Sequence, residues 1–239
     1  AIQSYSVRYL QAFDQVVSAT EQVRLKLQNL ESDTYYQSIA RLEQVPQLAS
    51  DAAKTIKDHF AESINSPALF PAQVTRNTVE RELVNWPQPA GCPLTLQNAP
   101  DWVDAANLCL KTNQTLLQTA LHDKATLLFS EALRSRLVQG QDETFIAALL
   151  GASNPQELVE ILVKELALSN QDQVNQKLEL LRHYLHRIQV RKVKMSDFQP
   201  SKRTIESSDV DQVVDDFRNF LSGHMISDSK DEFTIVEIE

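Results

Sequence analysis

Few residues in this chain have the types and spacing that chemistry requires. His183-x-x-His186 puts two imidazoles on one face of a helix, a spacing that can hold a metal ion. No third ligand accompanies them, and Arg182 and Arg187 beside them repel a cation, so the pair reads as a solvated helix face. Cys92 and Cys109, taken with His122, form another nominal zinc set. Two cysteines fall short of a four-ligand site, and Cys109 lies on the apolar face of its helix, where a thiol packs as a small core residue. The motifs Gly-x-Ser-x-Gly, His-Glu-x-x-His and Gly-x-x-x-x-Gly-Lys are missing. Glu80 and Glu82 beside Arg76 and Arg81 read as a charged helix face rather than as an acid–base pair. The sequence therefore assigns no catalytic, cofactor-binding or metal-binding residue, indicates no small-molecule ligand, and leaves an enzymatic reading without a general base.

Charge supplies the one candidate contact region. From Arg182 to Arg203 there are seven cations and one anion, Asp197; from Thr204 onward there are ten acids against Arg218 and Lys230. Arg187, Arg191, Lys192, Lys194, Lys202 and Arg203 are the candidates for contact with nucleic acid or a protein partner, since clustered Lys and Arg displace counterions from phosphate. The competing reading is internal: a basic strand lies beside an acidic one, and opposite charges across strands are mildly stabilising. The net charge of −9 opposes general nucleic-acid affinity and favours the internal reading.

Composition bounds the fold that must carry these residues. The 239 residues suit one large domain or two small ones, and 42% apolar content is ordinary for a packed chain. Only four glycines, Gly91, Gly140, Gly151 and Gly223, are available, too few for a phosphate-cradling loop or a doubly wound dinucleotide fold. Two cysteines make no disulfide framework and point to reduced thiols in the cytosol. No apolar run approaches the roughly 18 residues of a membrane span, and Ala1-Ile2-Gln3-Ser4 has no signal-peptide character. A start at Ala1 that enters a helical pattern at once reads as a piece of a longer chain, or as a chain trimmed of its methionine.

Periodicity makes the architecture mostly α. A long amphipathic helix is predicted over 5–30 on Leu10, Phe13, Val17, Thr20, Leu27 and Leu30, with Val16 and Val23 widening the stripe. Shorter helices follow through Tyr35–Leu42 and Leu48–Ile64, making a helical hairpin or bundle, and 75–86 adds one more. Pro87, Pro89, Gly91, Pro93 and Pro100 punctuate the chain, so the expected division is a bundle over 1–86, a linker over 87–100 and a helical domain over 101–239. That second domain begins with a helix running to Gly140, with a break near Asn113 or His122 and Gly140 as its C-terminal cap. Phe145–Leu150 is a short buried helix, and Asn154-Pro155-Gln156-Glu157 is a helix start. A further helix runs from Gln171 through Ile188. At the end, extended residues 188–195 and 232–238 flank a helix over Val210–Leu221 stopped by Gly223, forming a small two-stranded α+β element of open strand direction.

One set of short motifs carries a family resemblance. Leu137-Val138-Gln139-Gly140-Gln141-Asp142-Glu143-Thr144-Phe145-Ile146 is followed by Val193-Lys194-Met195-Ser196-Asp197-Phe198-Gln199-Pro200-Ser201, then Thr204-Ile205-Glu206, Asp209-Val210-Asp211 and Phe233-Thr234-Ile235-Val236-Glu237-Ile238. This ending resembles the C-terminal region of the large P-loop ATPases of bacteriophage-exclusion (BREX) defence systems, over about the last hundred residues. The resemblance implies an ATP-binding loop upstream of this chain and no catalytic residue within it. Some relatives carry a cysteine-rich zinc insert; here Gly91-Cys92-Pro93 and Cys109 do not reproduce one, so no metal is implied. The expected role is a non-catalytic interaction module of a larger cytosolic ATPase, docking through the first helix and the charged tail. The alternative is contact with nucleic acid through the basic strand, and no membrane partner is expected.

Overall fold

Helical periods govern most of the backbone, and the computed structural model is mostly helical. It describes residues 2–84, 89–167, 170–185, 188–193, 197–200, 209–225 and 233–238, with backbone only at 2, 188–193, 222–225 and 233–238. Two compact units are present: Ala1–Glu43 with Ser50–Lys124, and Gln44–Ala49 with Ala125–Glu239. Among the described residues no helix is long and apolar enough to cross a membrane.

The first unit contains α1 (Ile2–Gln28), α2 (Thr34–Leu42), α3 (Ala52–Ile64), α4 (Arg76–Leu83) and α5 (Ala99–Phe129), whose residues from 125 onward belong to the second unit. Helix α1 buries Tyr9, Phe13, Val16, Thr20, Val23 and Leu27. These alternate by fours and threes, the 3.5-residue spacing of a coiled-coil seam. The stripe is rotated from the expected one: Leu10 and Val17 are only half-buried, while Tyr9, Val16 and Val23 form the centre. Leu30 and Leu48, expected inside helices, sit in the 3-10 turns Leu30–Ser32 and Pro46–Leu48. Asp33 starts α2 by accepting from the Tyr35 and Tyr36 amides at 2.8 and 3.2 Å. Thr75 likewise caps α4.

The described residues of the proline-rich stretch, 89–100, fall within the first unit. Pro89, Cys92, Leu94 and Ala99 are buried in the first unit, packed with Tyr9, Phe13, Val16, Phe70, Val79 and Leu83. The Tyr9 hydroxyl donates to the Leu94 carbonyl at 2.7 Å and lies 3.3 Å from Cys92 Sγ. Burial and the neighbouring thiol push the Tyr9 phenol well above its ordinary pKa. Proline here ends helices without ending the core. Beyond it Thr95 and Asn98 exchange hydrogen bonds, Thr95 N to Asn98 Oδ1 at 2.7 Å and Asn98 N to Thr95 Oγ1 at 3.2 Å, which starts α5. Helix α5 runs through Asn113 and His122 without the expected break.

The second unit continues with α6 (Glu131–Leu137), α7 (Thr144–Gly151), α8 (Pro155–Leu166) and α9 (Gln171–Leu185). Asn154 caps α8, accepting from the Glu157 amide at 2.9 Å, while Glu157 accepts from the Ser153 amide at 2.7 Å. Val174, Leu178, Leu181 and Leu185 of α9 are fully buried. Arg134 closes the end of α7, donating to the Leu150 and Ala152 carbonyls while its guanidinium lies 4.4 Å from the Phe129 ring centroid. Then come β1 (Ile188–Val193), α10 (Val210–Met225) and β2 (Phe233–Ile238); the strands pair in parallel with Ile188 opposite Phe233 and Val193 opposite Ile238. Helix α10 passes Gly223 and ends at Met225. Phe198 packs edge-on against Phe217 of α10, with ring centroids 5.1 Å apart.

Gly140 is buried but does not act as a left-handed helix cap. It lies in the 3-10 turn Val138–Gly140, and a Cβ there would fall 2.7 Å from the Tyr184 ring and 3.0 Å from Ile146 Cγ2. Its small size admits Tyr184. Gly140→Ala is expected to cost about 1–3 kcal/mol by overpacking, measured by denaturant unfolding. The same change in a Tyr184→Leu background should cost less, because the ring that clashes is gone; equal costs would remove this explanation.

Candidate functional site

The structure brings together few of the residues nominated from sequence. Arg187, Lys194, Lys202 and Arg203 lie outside the described residues. Arg191 and Lys192 belong to β1, whose register aligns them with Val236 and Glu237 of β2. The register thus sets Lys192, but not Arg191, opposite an acidic residue. Arg182, which opens the basic run, donates to the Gln44 carbonyl at 3.3 Å and to Glu179. His183 packs edge-on against Tyr184, and His186 lies outside the described residues.

The cysteines occupy separate places. Cys92 is buried in the Tyr9 core. Cys109 lies on α5, where burial raises its thiol pKa against the opposing effect of hydrogen bonds with Ser63 and Asn113. His122 is exposed on the same unbroken helix. Thirteen residues of helix separate it from Cys109, a rise of about 20 Å, so the two cannot share one ion. Among the described residues no three His, Cys, Asp or Glu side chains cluster in a way that could hold a metal.

A polar cluster that sequence reading missed joins three segments of the first unit. Lys124 Nζ of α5 donates to Ser50 Oγ at 2.9 Å and lies 3.5 Å from Glu43 Oε1. Ser50 Oγ in turn donates to Glu43 Oε1 at 2.9 Å, and the Ala53 amide donates to the same oxygen at 3.1 Å. The Lys124 and Glu43 side chains are 7% and 15% exposed, so the pair is shielded from water: its attraction is stronger than at the surface, and each charge carries a desolvation cost. A serine beside a lysine resembles a nucleophile beside a base. Here, however, the ammonium is the donor and the carboxylate favours its charged form. The arrangement is a clamp, fixing the end of α2 and the start of α3 to α5. No local motif marks it, since the three residues meet only after the chain has folded.

The second feature is an apolar groove between α1 and α4. It has a volume of about 670 Å³ and is lined by Val7, Leu10, Leu83 and Val84, with Ser6 and Glu80 among its polar residues. Val7 and Val84 are 55% and 82% exposed, while Leu10 and Leu83 reach the core beneath. Arg76 holds α4 to α1 beside this region through Asp14, and also pairs with Glu80 at 2.8 Å.

Burial holds the Lys124 pKa below its ordinary 10.5, with Glu43 opposing the shift in part. The folded state therefore releases this proton at lower pH than the unfolded state. Its desolvation penalty is fully present below the folded pKa and is relieved as pH rises toward 10.5. Lys124→Met is expected to lower stability by about 1–3 kcal/mol at neutral pH, because it leaves the Glu43 carboxylate without its cation. Thermal unfolding of both proteins at increasing pH should show the wild type gaining on the variant across that alkaline window; parallel profiles would discount the clamp.

No protein-family model matches this chain, and comparison with curated proteins and with solved structures gave no match.

Proposed function

We propose that this chain is a non-catalytic docking module of a larger cytosolic ATPase of phage defence, binding protein partners or the rest of its parent chain. The observation that carries this reading is the α1–α4 groove. Val7 and Val84 remain exposed around a floor formed by Leu10 and Leu83, although the same two helices bury Tyr9, Phe13 and Val79 completely or nearly so. A hydrophobic groove between helices is a common seat for an amphipathic segment. The resemblance of the last hundred residues to the BREX ATPase ending supports this reading of the parent, in which the ATP-binding loop would lie upstream. In this reading a helical bundle precedes a helical domain with a small two-stranded α+β element, and the acidic tail makes the second contact.

Val7→Asp and Val84→Asp test the reading without disturbing the core, since both side chains are exposed. With the remainder of the parent ATPase supplied as a separate chain, the wild type should co-elute and either variant should bind about tenfold more weakly or worse. No association with the parent or with any partner of the system, or association indifferent to both substitutions, would overturn it.

A second reading rests on the seven cations between Arg182 and Arg203. Fluorescence anisotropy with duplex DNA at two salt concentrations separates the two. Internal pairing of the basic strand gives no binding. Salt-sensitive binding that disappears when Arg187, Arg191, Lys192 and Lys194 are all replaced by Glu would move nucleic-acid contact to first place.

A further inference from the structure

We propose that the Lys124–Glu43–Ser50 cluster is a coupling joint, a conformational device that makes the two units open and unfold as one. The proposal is independent of the docking reading and stands whether or not that reading does.

The chain passes between the units three times, and each passage begins or ends at a member of the cluster. Glu43 is the last residue of the first unit before the chain leaves it, and Ser50 is the first on its return. Lys124 is the last residue before the third passage, which falls inside the unbroken helix α5. All three belong to the first unit, so the cluster gathers in one place every point where the chain leaves or re-enters that unit. Nearness in sequence does not bring them together, since Lys124 lies 74 residues from Ser50.

The excursion between Glu43 and Ser50 is short and anchored. Gln44–Ala49 belongs to the second unit, where Val45 is fully buried and Leu48 is 2% exposed. Arg182 of α9 donates to the Gln44 carbonyl at 3.3 Å. At the two ends Ser50 Oγ donates to Glu43 Oε1 at 2.9 Å, closing the excursion into a loop. The Ala53 amide, in the first turn of α3, donates to the same oxygen at 3.1 Å. A loop this short, pinned at both ends and buried between them, has little slack. Drawing it out of the second unit pulls directly on the Glu43–Ser50 hydrogen bond.

Connections between domains are ordinarily exposed and carry few contacts, which leaves neighbouring units free to open separately. Here the opposite holds. Lys124 and Glu43 are 7% and 15% exposed, and removing either charge strands the other in a shielded place. The cluster is therefore kept or lost as a whole, the property that a coupling element needs. Fraying of the first unit at any one passage breaks the cluster and releases the other two. While it is intact, all three exits are held together and the units share one unfolding event.

The chain carries its own reporter. Both tryptophans, Trp86 and Trp102, fall within the sequence range of the first unit, and the second unit has none. Tryptophan fluorescence therefore follows the first unit alone, whereas far-UV circular dichroism follows the helices of both. In the wild type the two thermal transitions should coincide, the mark of a single cooperative event. In Lys124→Met, and in the milder Ser50→Ala, the ellipticity curve should split, with the fluorescence midpoint about 5 °C or more below the second step. Tyr9→Phe is the control. It deletes the hydrogen bond to the Leu94 carbonyl in the core of the same unit and leaves the cluster intact, so its two transitions should move down together. Separate transitions in the wild type, coincident ones in the cluster variants, or an equal split in Tyr9→Phe would each overturn the proposal. Should Lys124→Met fail to fold, Ser50→Ala carries the test, because Ser50 is exposed.

Discussion

Burial of the Tyr9 phenol organises the first unit. A hydroxyl taken fully out of water must find an acceptor, and this one finds the Leu94 carbonyl, 85 residues along the chain. Satisfying it requires α1 to present Tyr9, Phe13 and Val16 to the returning proline-rich segment. Once that face is chosen, the 3.5-residue spacing carries the seam onward through Thr20, Val23 and Leu27. The same contact holds Cys92 and Leu94 in the core and delivers the chain to the Thr95–Asn98 turn from which α5 starts. Phe70 joins the cluster edge-on, packing between Phe13 and Trp102 at ring-centroid separations of 5.6 and 5.4 Å.

Two cations, one buried and one half-buried, show the same physical rule at work elsewhere in the protein. Lys124 is buried only in company with Glu43 and Ser50, and Arg134 lies among helix-end carbonyls beside an aromatic ring. Each such group costs desolvation, and each is matched by partners that make its position specific. The match is not complete among the described residues: the Thr20, Gln47, Glu82 and Asn113 side chains each bury an oxygen without a hydrogen-bond partner.

The docking reading draws on uncovered apolar surface. Docking uses what the helices leave uncovered, valines whose burial would remove apolar surface from water. It asks the chain for neither a nucleophile nor a general base, and it does not depend on the basic run near β1. In the second unit β1 and β2 pair in parallel, with Lys192 at the register position opposite Glu237.

Helix positions were legible from local signals because their causes are local. The Asn154-Pro155 start, the glycine-closed α7, and the apolar fours and threes of α8 and α9 act within a few residues of chain. Even α1 was legible as a helix. Which edge of its stripe faces inward was not, since Tyr9 and Leu10 are equally plausible until Leu94 arrives to accept a hydrogen bond. Proline-rich composition said where helices stop and was silent on whether the stretch would be buried. Gly140 stood out as a cap, yet its requirement is set by Tyr184, 44 residues later. Asn113 attracted notice as a helix breaker, but the helix is unbroken. The sequence by itself determined the elements, because hydrogen bonding and periodicity act over one or two turns. Tertiary structure alone decided the clamp and the groove, because each is made by side chains that only the closed fold brings within contact distance.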